Sequence, residues 1–205
     1  MQYLYCHGVI NGYVTEPPCD GGTPCFKPAN PTTRGQLAKI VVLAFAFPID
    51  VSAGPSFEDV AEGSTFYPYV ETARSLGLVN GYECGRLGEP CDPYNRPYYH
   101  PERNVTRGQI TKIVVSAAII ADPVSWTLLD PAESTFQDVP PGSTFFRHVE
   151  TAAAHGIING YPCGVAPADV CVPPDNKPYF LPNADATRAQ ISKIVYLAAT
   201  SSPRR

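Results

Sequence analysis

The stretch NVTRGQITKIVVSAA, Asn104 to Ala118, has two near-copies in the same chain: PTTRGQLAKIVVLAF from Pro31 and DATRAQISKIVYLAA from Asp185. Internal repetition constrains the fold more than any other feature, because each copy has to be built as the same structural unit. Apolar residues recur at helical spacing in all three. They are Leu37, Ile40, Val41, Ala44 and Phe45, then Ile110, Ile113, Val114, Ala117 and Ala118, then Ile191, Ile194, Val195, Ala198 and Ala199. That is the stripe of a helix buried along one side.

The similarity extends upstream. FEDV at Phe57 is followed by GSTFYPYVETARSLGLVNGY, a Pro/Cys loop and YYHPERNVTRGQ. FQDV at Phe136 is followed by GSTFFRHVETAAAHGIINGY, a Cys loop and YFLPNADATRAQ. The first copy enters midway, as LYCHGVINGY, and lacks the Phe-x-Asp-Val segment. The pattern predicts a first helix over about Pro68–Leu76 and about Arg147–His155. Gly77 and Gly156 stop these helices, and Gly8 is their equivalent. Between the helices, NGY and an aromatic-x-Pro step predict an irregular turn with a short extended pair.

One helix–loop–helix copy cannot cover its own apolar stripe, so the copies have to pack on one another. The expected fold is mainly α: three tandem helix–loop–helix repeats packed as a helical bundle with disulfide-closed loops. The expected organisation is a first, N-terminally incomplete repeat over 1–48, a linker over 49–55, and a second repeat over 56–121. A second linker over 122–135, a third repeat over 136–200 and a tail over 201–205 follow. The stripe Leu37–Phe45 is expected to lack a helix of its own repeat to pack against.

Six of the seven cysteines form close pairs, one per repeat: Cys19/Cys25, Cys84/Cys91 and Cys163/Cys171. Zinc is the rival reading. The spacings of five, six and seven intervening residues are wider than a zinc knuckle and vary between repeats, and no second Cys or His pair stands at a matching distance. Three structural loop disulfides and an extracellular, oxidising compartment are expected, with no metal and no cofactor. Cys6 is left over, unpaired or joined to a partner upstream or on another subunit. MQYLYCHGVINGY has none of the marks of a signal peptide. A mature form, a trimmed form or a fragment is therefore expected, and the cut first repeat favours a missing N-terminal piece.

The formal net charge of −4 and the absence of a basic stripe argue against nucleic acid as a partner. No apolar run approaches the roughly 20 residues that span a bilayer, so membrane insertion is not expected.

Thr33, Thr106 and Thr187 precede the stripes, and Gln36, Gln109 and Gln190 follow three residues later. Each pair forms a capping box: the hydroxyl accepts from the N3 amide and the Gln reaches back to the cap amide. The small residue between them, Gly35, Gly108 or Ala189, allows close packing. The arginines at 34, 107 and 188 are the remainder. A cation in the first turn meets amides that already carry partial positive charge, at a cost of roughly 0.3 kcal/mol or more. Three such placements imply an anion nearby. It is either internal, Asp59 or Asp138, or a bound carboxylate or phosphate, and the residues alone leave both open.

Phe-x-Asp-Val, Phe-Tyr-x-Tyr-Val-Glu, Gly-Leu-Val-Asn-Gly-Tyr, aromatic-x-Pro and Thr-Arg-Gly-Gln, in this order, resemble the surface-layer homology (SLH) repeat over nearly the whole chain. The resemblance implies a pseudo-threefold trefoil around a central bundle with grooves between repeats. It implies a non-catalytic module on the bacterial cell surface that holds acidic cell-wall polysaccharide, often pyruvylated. The family's arginine falls on Arg34, Arg107 and Arg188, and Asn80, Asn159, Tyr82 and Tyr161 complete the expected ligand-binding set. Two departures stand out: Gln replaces the family's Glu, and the Cys loops are longer than the usual short turn. The alternative expectation is a structural subunit of an extracellular filament or surface layer. It would self-associate, with neighbouring chains completing the first repeat.

Other recurring groups read as structural. His7 and His155 share a position that holds Leu76 in the second repeat, and Glu71 and Glu150 lack an acid/base partner. Lys39, Lys112 and Lys193 suit a solvated face, and Trp126 suits a staple for the second linker.

Overall fold

The computed structural model describes residues 2–14, 24–165 and 170–201. Six helices are found among them: α1 (Gln2–Cys6), α2 (Arg34–Ala44), α3 (Tyr67–Ser75), α4 (Arg107–Ala121), α5 (Phe146–Ala154) and α6 (Arg188–Ser201). The long helices α2, α4 and α6 are the three expected from the Thr-Arg-x-Gln stretches. Each begins as the sequence predicts. The Thr33, Thr106 and Thr187 hydroxyls accept from the amides of Gln36, Gln109 and Gln190, whose side-chain oxygens accept from the threonine amides in return.

The short helices α3 and α5 begin one residue earlier than expected and lack a side-chain cap. They end as expected, at glycines with left-handed backbone: φ is +70° at Gly77 and +67° at Gly156. A side chain at either would strain the turn. The loops between short and long helices carry isolated bridges, Tyr82 to Tyr98 and Tyr161 to Tyr179, with Tyr13 to Cys25 the counterpart in the first repeat. Disulfides Cys84–Cys91 and Cys163–Cys171 close two of these loops. The third expected bridge involves Cys19, which lies outside the described residues. Cys6 is a free, exposed thiol.

The order of packing corrects one expectation. Helices α2, α4 and α6 each touch the other two, so their stripes meet in one core. The short helices do not cover the long helix of their own repeat. Helix α3 packs on α2, α5 on α4, and α1 on α6. The stripe Leu37–Phe45 therefore has a partner, supplied by the second repeat, and Val41 and Val42 are fully buried. On α6, Tyr196 stands at the position of Val42 and Val115 and is 38% exposed.

The linkers are tied to the short helices by a threonine and a glutamate on each, the glutamates being those set aside above. The Thr72 and Thr151 hydroxyls accept from the amides of Asp50 and Leu129. The buried carboxylates of Glu71 and Glu150 accept from the amides of Ser56 and Thr135. Each glutamate thus holds linker backbone through one oxygen; Glu150 Oε2 accepts from the Thr135 hydroxyl, and Glu71 Oε2 is buried without a hydrogen-bond partner. Trp126 is buried and stacks on His155 at 3.7 Å between ring centroids, stapling the second linker to the end of α5.

His148, on α5, faces α4, with Nε2 3.4 Å from the Ser116 hydroxyl and a buried Nδ1 without a partner. Burial, aided by Lys112 and Arg147, pushes its pKa from the ordinary 6.5 down to about 4. The sign follows by linkage. As pH falls below 6.5 the unfolded chain takes up this proton and the folded chain does not, so stability is lost between pH 6.5 and 4. The melting temperature is expected to fall on going from pH 7 to pH 5. His148→Gln removes most of that slope; an equal slope in the variant would assign it to other groups.

Candidate functional site

Each of the three arginines leaves its own repeat and enters the loop of another. Arg34 donates from Nε to the carbonyl of Tyr99 at 2.7 Å, Arg107 to that of Phe180 at 2.8 Å, and Arg188 to that of Phe26 at 2.9 Å. Each guanidinium lies between two rings at 4.6 to 5.0 Å from their centroids. The pairs are Tyr82 and Tyr99 for Arg34, Tyr161 and Phe180 for Arg107, and Tyr13 and Phe26 for Arg188. The first repeat thus grips the second, the second the third, and the third the first. All three arginines are buried. Burial pushes the Arg107 guanidinium below its ordinary pKa, against the pull of Tyr161 and Asp138.

This arrangement answers part of the question the arginines raise. They have a folding role that the sequence reading did not assign: each clamps two repeats through a carbonyl and two π faces, and arginine is the residue for such a site. The internal anion acts through space and not as a hydrogen-bonded pair: Asp138 attracts Arg107 electrostatically while its oxygens are taken by backbone amides. Asp59 accepts from the amides of Tyr99 and His100, and Asp138 from those of Phe180 and Leu181. The helix N-termini are not open anion sites either. The first two amides of each long helix donate to loop carbonyls: Arg34 to Arg103 and Gly35 to Pro101, Arg107 to Ala184 and Gly108 to Pro182, Arg188 to Asn30 and Ala189 to Pro28. The threonine cap takes the third amide.

Two of the clamps carry a hydrogen-bonded tyrosine hydroxyl, and in the third Arg188 Nη2 donates to the Asn11 carbonyl at 2.9 Å. The Tyr82 hydroxyl accepts from Arg34 Nη1 at 3.4 Å and from Gln109 Nε2 at 3.2 Å. The Tyr161 hydroxyl accepts from Gln190 Nε2 at 2.8 Å. This is a use for glutamine at the third helical position. Its amide oxygen serves the cap and its amide nitrogen serves the tyrosine, whereas an ionised glutamate could only accept. Among the described residues Arg107 donates through Nε alone, and its two terminal nitrogens make no hydrogen bond there.

The structure therefore brings together Arg34 with Tyr82 and Arg107 with Tyr161. The Asn80 side-chain oxygen accepts from Arg74 at 2.7 Å. Asn159 is exposed. The residues missed in the sequence are Tyr99, Phe180 and Phe26, which form the second face of each clamp. They are the aromatic of the aromatic-x-Pro step, so the signal was present as a repeat landmark without a role attached. Among the described residues, no group of three or more His, Cys, Asp or Glu is placed to hold a metal ion. No helix among them is long and apolar enough to cross a membrane.

A family model described as the S-layer homology domain matches residues 56–111 and 135–191, together more than half of the chain. No curated protein matches the sequence.

Proposed function

The chain belongs to the S-layer homology domain family, whose members are non-catalytic modules that anchor proteins at the bacterial cell surface by binding cell-wall polysaccharide, and from that premise we propose that it anchors to an acidic, pyruvylated-type polysaccharide through the clefts between its repeats. In this reading residues 1–48 are a further, incomplete repeat, and the three close into a pseudo-threefold trefoil. The order in which α1, α3 and α5 cover α6, α2 and α4 supports that closure.

The observation that carries the reading is the outer edge of the clamp. Arginine nitrogens and tyrosine hydroxyls stand together there, fixed by buried bonds. A carboxylate on a sugar ring would meet preorganised donors of the kind that recognise it best, with the aromatic faces beside them. The formal net charge of −4 gives no long-range attraction to an acidic polymer, so recognition rests on these local donors.

Sedimentation with purified cell walls tests it. The wild-type protein pellets with native walls and stays in solution with walls stripped of ketal-linked carboxylates by mild acid. Tyr82→Phe with Tyr161→Phe keeps the rings over the arginines and removes the hydroxyls. This variant loses most of the pelleted fraction at a stability cost of about 1 kcal/mol per hydroxyl. Equal pelleting with stripped walls would sink the acidic-ligand reading.

A further inference from the structure

The Asn-Gly-Tyr landmark stands in all three repeats with nearly the same neighbours: residues 10–13 and 158–161 read INGY, and residues 79–82 read VNGY. Asparagine before glycine has an intrinsic side reaction. The glycine carries no side chain to shield its amide nitrogen, which can close onto the asparagine Cγ. Because the neighbours are alike, any difference in reactivity between the three has to come from the fold.

Two of the three are held by an arginine. In the second repeat Arg74 Nη1 donates to the Asn80 side-chain oxygen at 2.7 Å and to the Val79 carbonyl at 3.4 Å. One guanidinium thus ties down the side chain and the main chain before it. In the first repeat Arg188 Nη2 donates to the Asn11 carbonyl at 2.9 Å. That carbonyl and the Gly12 nitrogen belong to one planar peptide unit, so the bond fixes the nucleophile. The third repeat has neither restraint. Ala153 stands at the position of Arg74, and Arg107 donates to the carbonyl of Phe180 instead. Among the described residues no hydrogen bond reaches Ile158, Asn159 or Gly160, through main chain or side chain. The regular bonds resume on either side, from the Ile157 amide to Ala152 and between Tyr161 and Tyr179. Asn159 is exposed, so water and hydroxide reach it.

We propose that Asn159 is a site of spontaneous covalent modification, deamidation through a cyclic imide, and that the fold protects Asn11 and Asn80. The Gly160 amide gives its proton to hydroxide, and its nitrogen forms a bond to Asn159 Cγ. The side-chain amino group takes a proton from water and leaves as ammonia, which closes a five-membered succinimide. Water then adds to one of the two ring carbonyls and breaks the bond from that carbon to nitrogen. Opening at Cγ leaves aspartate. Opening at the main-chain carbonyl leaves isoaspartate, with the chain running on through the former side chain. Bringing nitrogen and Cγ together requires a turn of the peptide unit between the two residues. In the third repeat that turn breaks no hydrogen bond, whereas in the other two it works against an arginine. Either product sets a carboxylate two residues before Tyr161, the tyrosine that lies on Arg107.

The native protein, held at mildly alkaline pH and sampled over time, tests this by peptide mass mapping, which reads the amide-to-acid mass gain at each site. Asn159 is expected to convert roughly fivefold faster than Asn11 and Asn80, or more. In the reduced, urea-unfolded chain the three should convert at rates within roughly twofold of one another, because only the fold separates them. Two variants move the restraint. Arg74→Ala is expected to raise the Asn80 rate toward that of Asn159, and Ala153→Arg to lower the Asn159 rate toward that of Asn80. An Asn159 that converts no faster than Asn80 in the native protein would overturn the proposal. So would the same spread of rates in the unfolded chain, which would assign the difference to local sequence, or rates unchanged in Arg74→Ala. Wall sedimentation is measured separately, so this site and the polysaccharide reading stand or fall independently.

Discussion

Replacing Arg107 with alanine is expected to destabilise the fold by about 3 kcal/mol, which lowers the melting temperature by roughly 10 °C for a chain of this size. Three losses add up. The carbonyl of Phe180, buried with its residue, is left without the Nε–H that reaches it at 2.8 Å. The rings of Tyr161 and Phe180, at 4.9 and 4.7 Å, lose the cation between them, at roughly 0.5–2 kcal/mol for a desolvated pair. The space of a buried side chain is left empty at the junction of two repeats. One gain opposes them: removing a charge held away from water relieves the desolvation that depresses the Arg107 pKa. The losses outweigh it because all of them fall where the loop of the third repeat meets α4. Arg107→Lys keeps the charge but has neither the planar face nor the fixed Nε–H, and should recover less than half of the lost stability. Calorimetry decides. An arginine kept only for a ligand would leave the melting temperature of the alanine variant unchanged.

That expectation reverses what the sequence suggests, and the reason is instructive. Thr106, Gln109 and the stripe Ile110–Ala118 were legible because their partners lie within a few residues, and capping and periodicity are local rules. Arg107 takes its partners 54 and 73 residues away, at Tyr161 and Phe180. No local rule reaches that far, so the residue looked like a remainder waiting for an anion. The same limit hides the order of packing: only the structure shows that each short helix covers the long helix of a different repeat, α3 on α2, α5 on α4 and α1 on α6. Asn80, by contrast, has a partner close in sequence: Arg74, on the helix just before it, donates to its side-chain oxygen. Repetition located the landmarks, and contact order between repeats decided what each one does.

The glycine inside the motif carries the same lesson with the opposite sign from ordinary helix chemistry. Gly108→Ala in an exposed helix would stabilise by about 1 kcal/mol, since glycine has the greater backbone freedom to lose. Here it is expected to destabilise by about 2 kcal/mol. A Cβ at Gly108 would stand 2.5 Å from Phe145 Cδ2 and 2.9 Å from its Cγ. Contact at Cγ involves the root of the ring, so no small tilt relieves it. The ring has to swing about χ1, and with it the start of α5, which Phe145 precedes. Gly35 under Phe66 predicts the same outcome for the same reason, with a nearest approach of 2.6 Å. Coupling is the sharper measurement. In the double variant with Phe145→Ala the added methyl has room, so the two changes should cost less together than the sum of their separate costs, by 1 kcal/mol or more. Additive costs would mean that the ring and the glycine do not share the space.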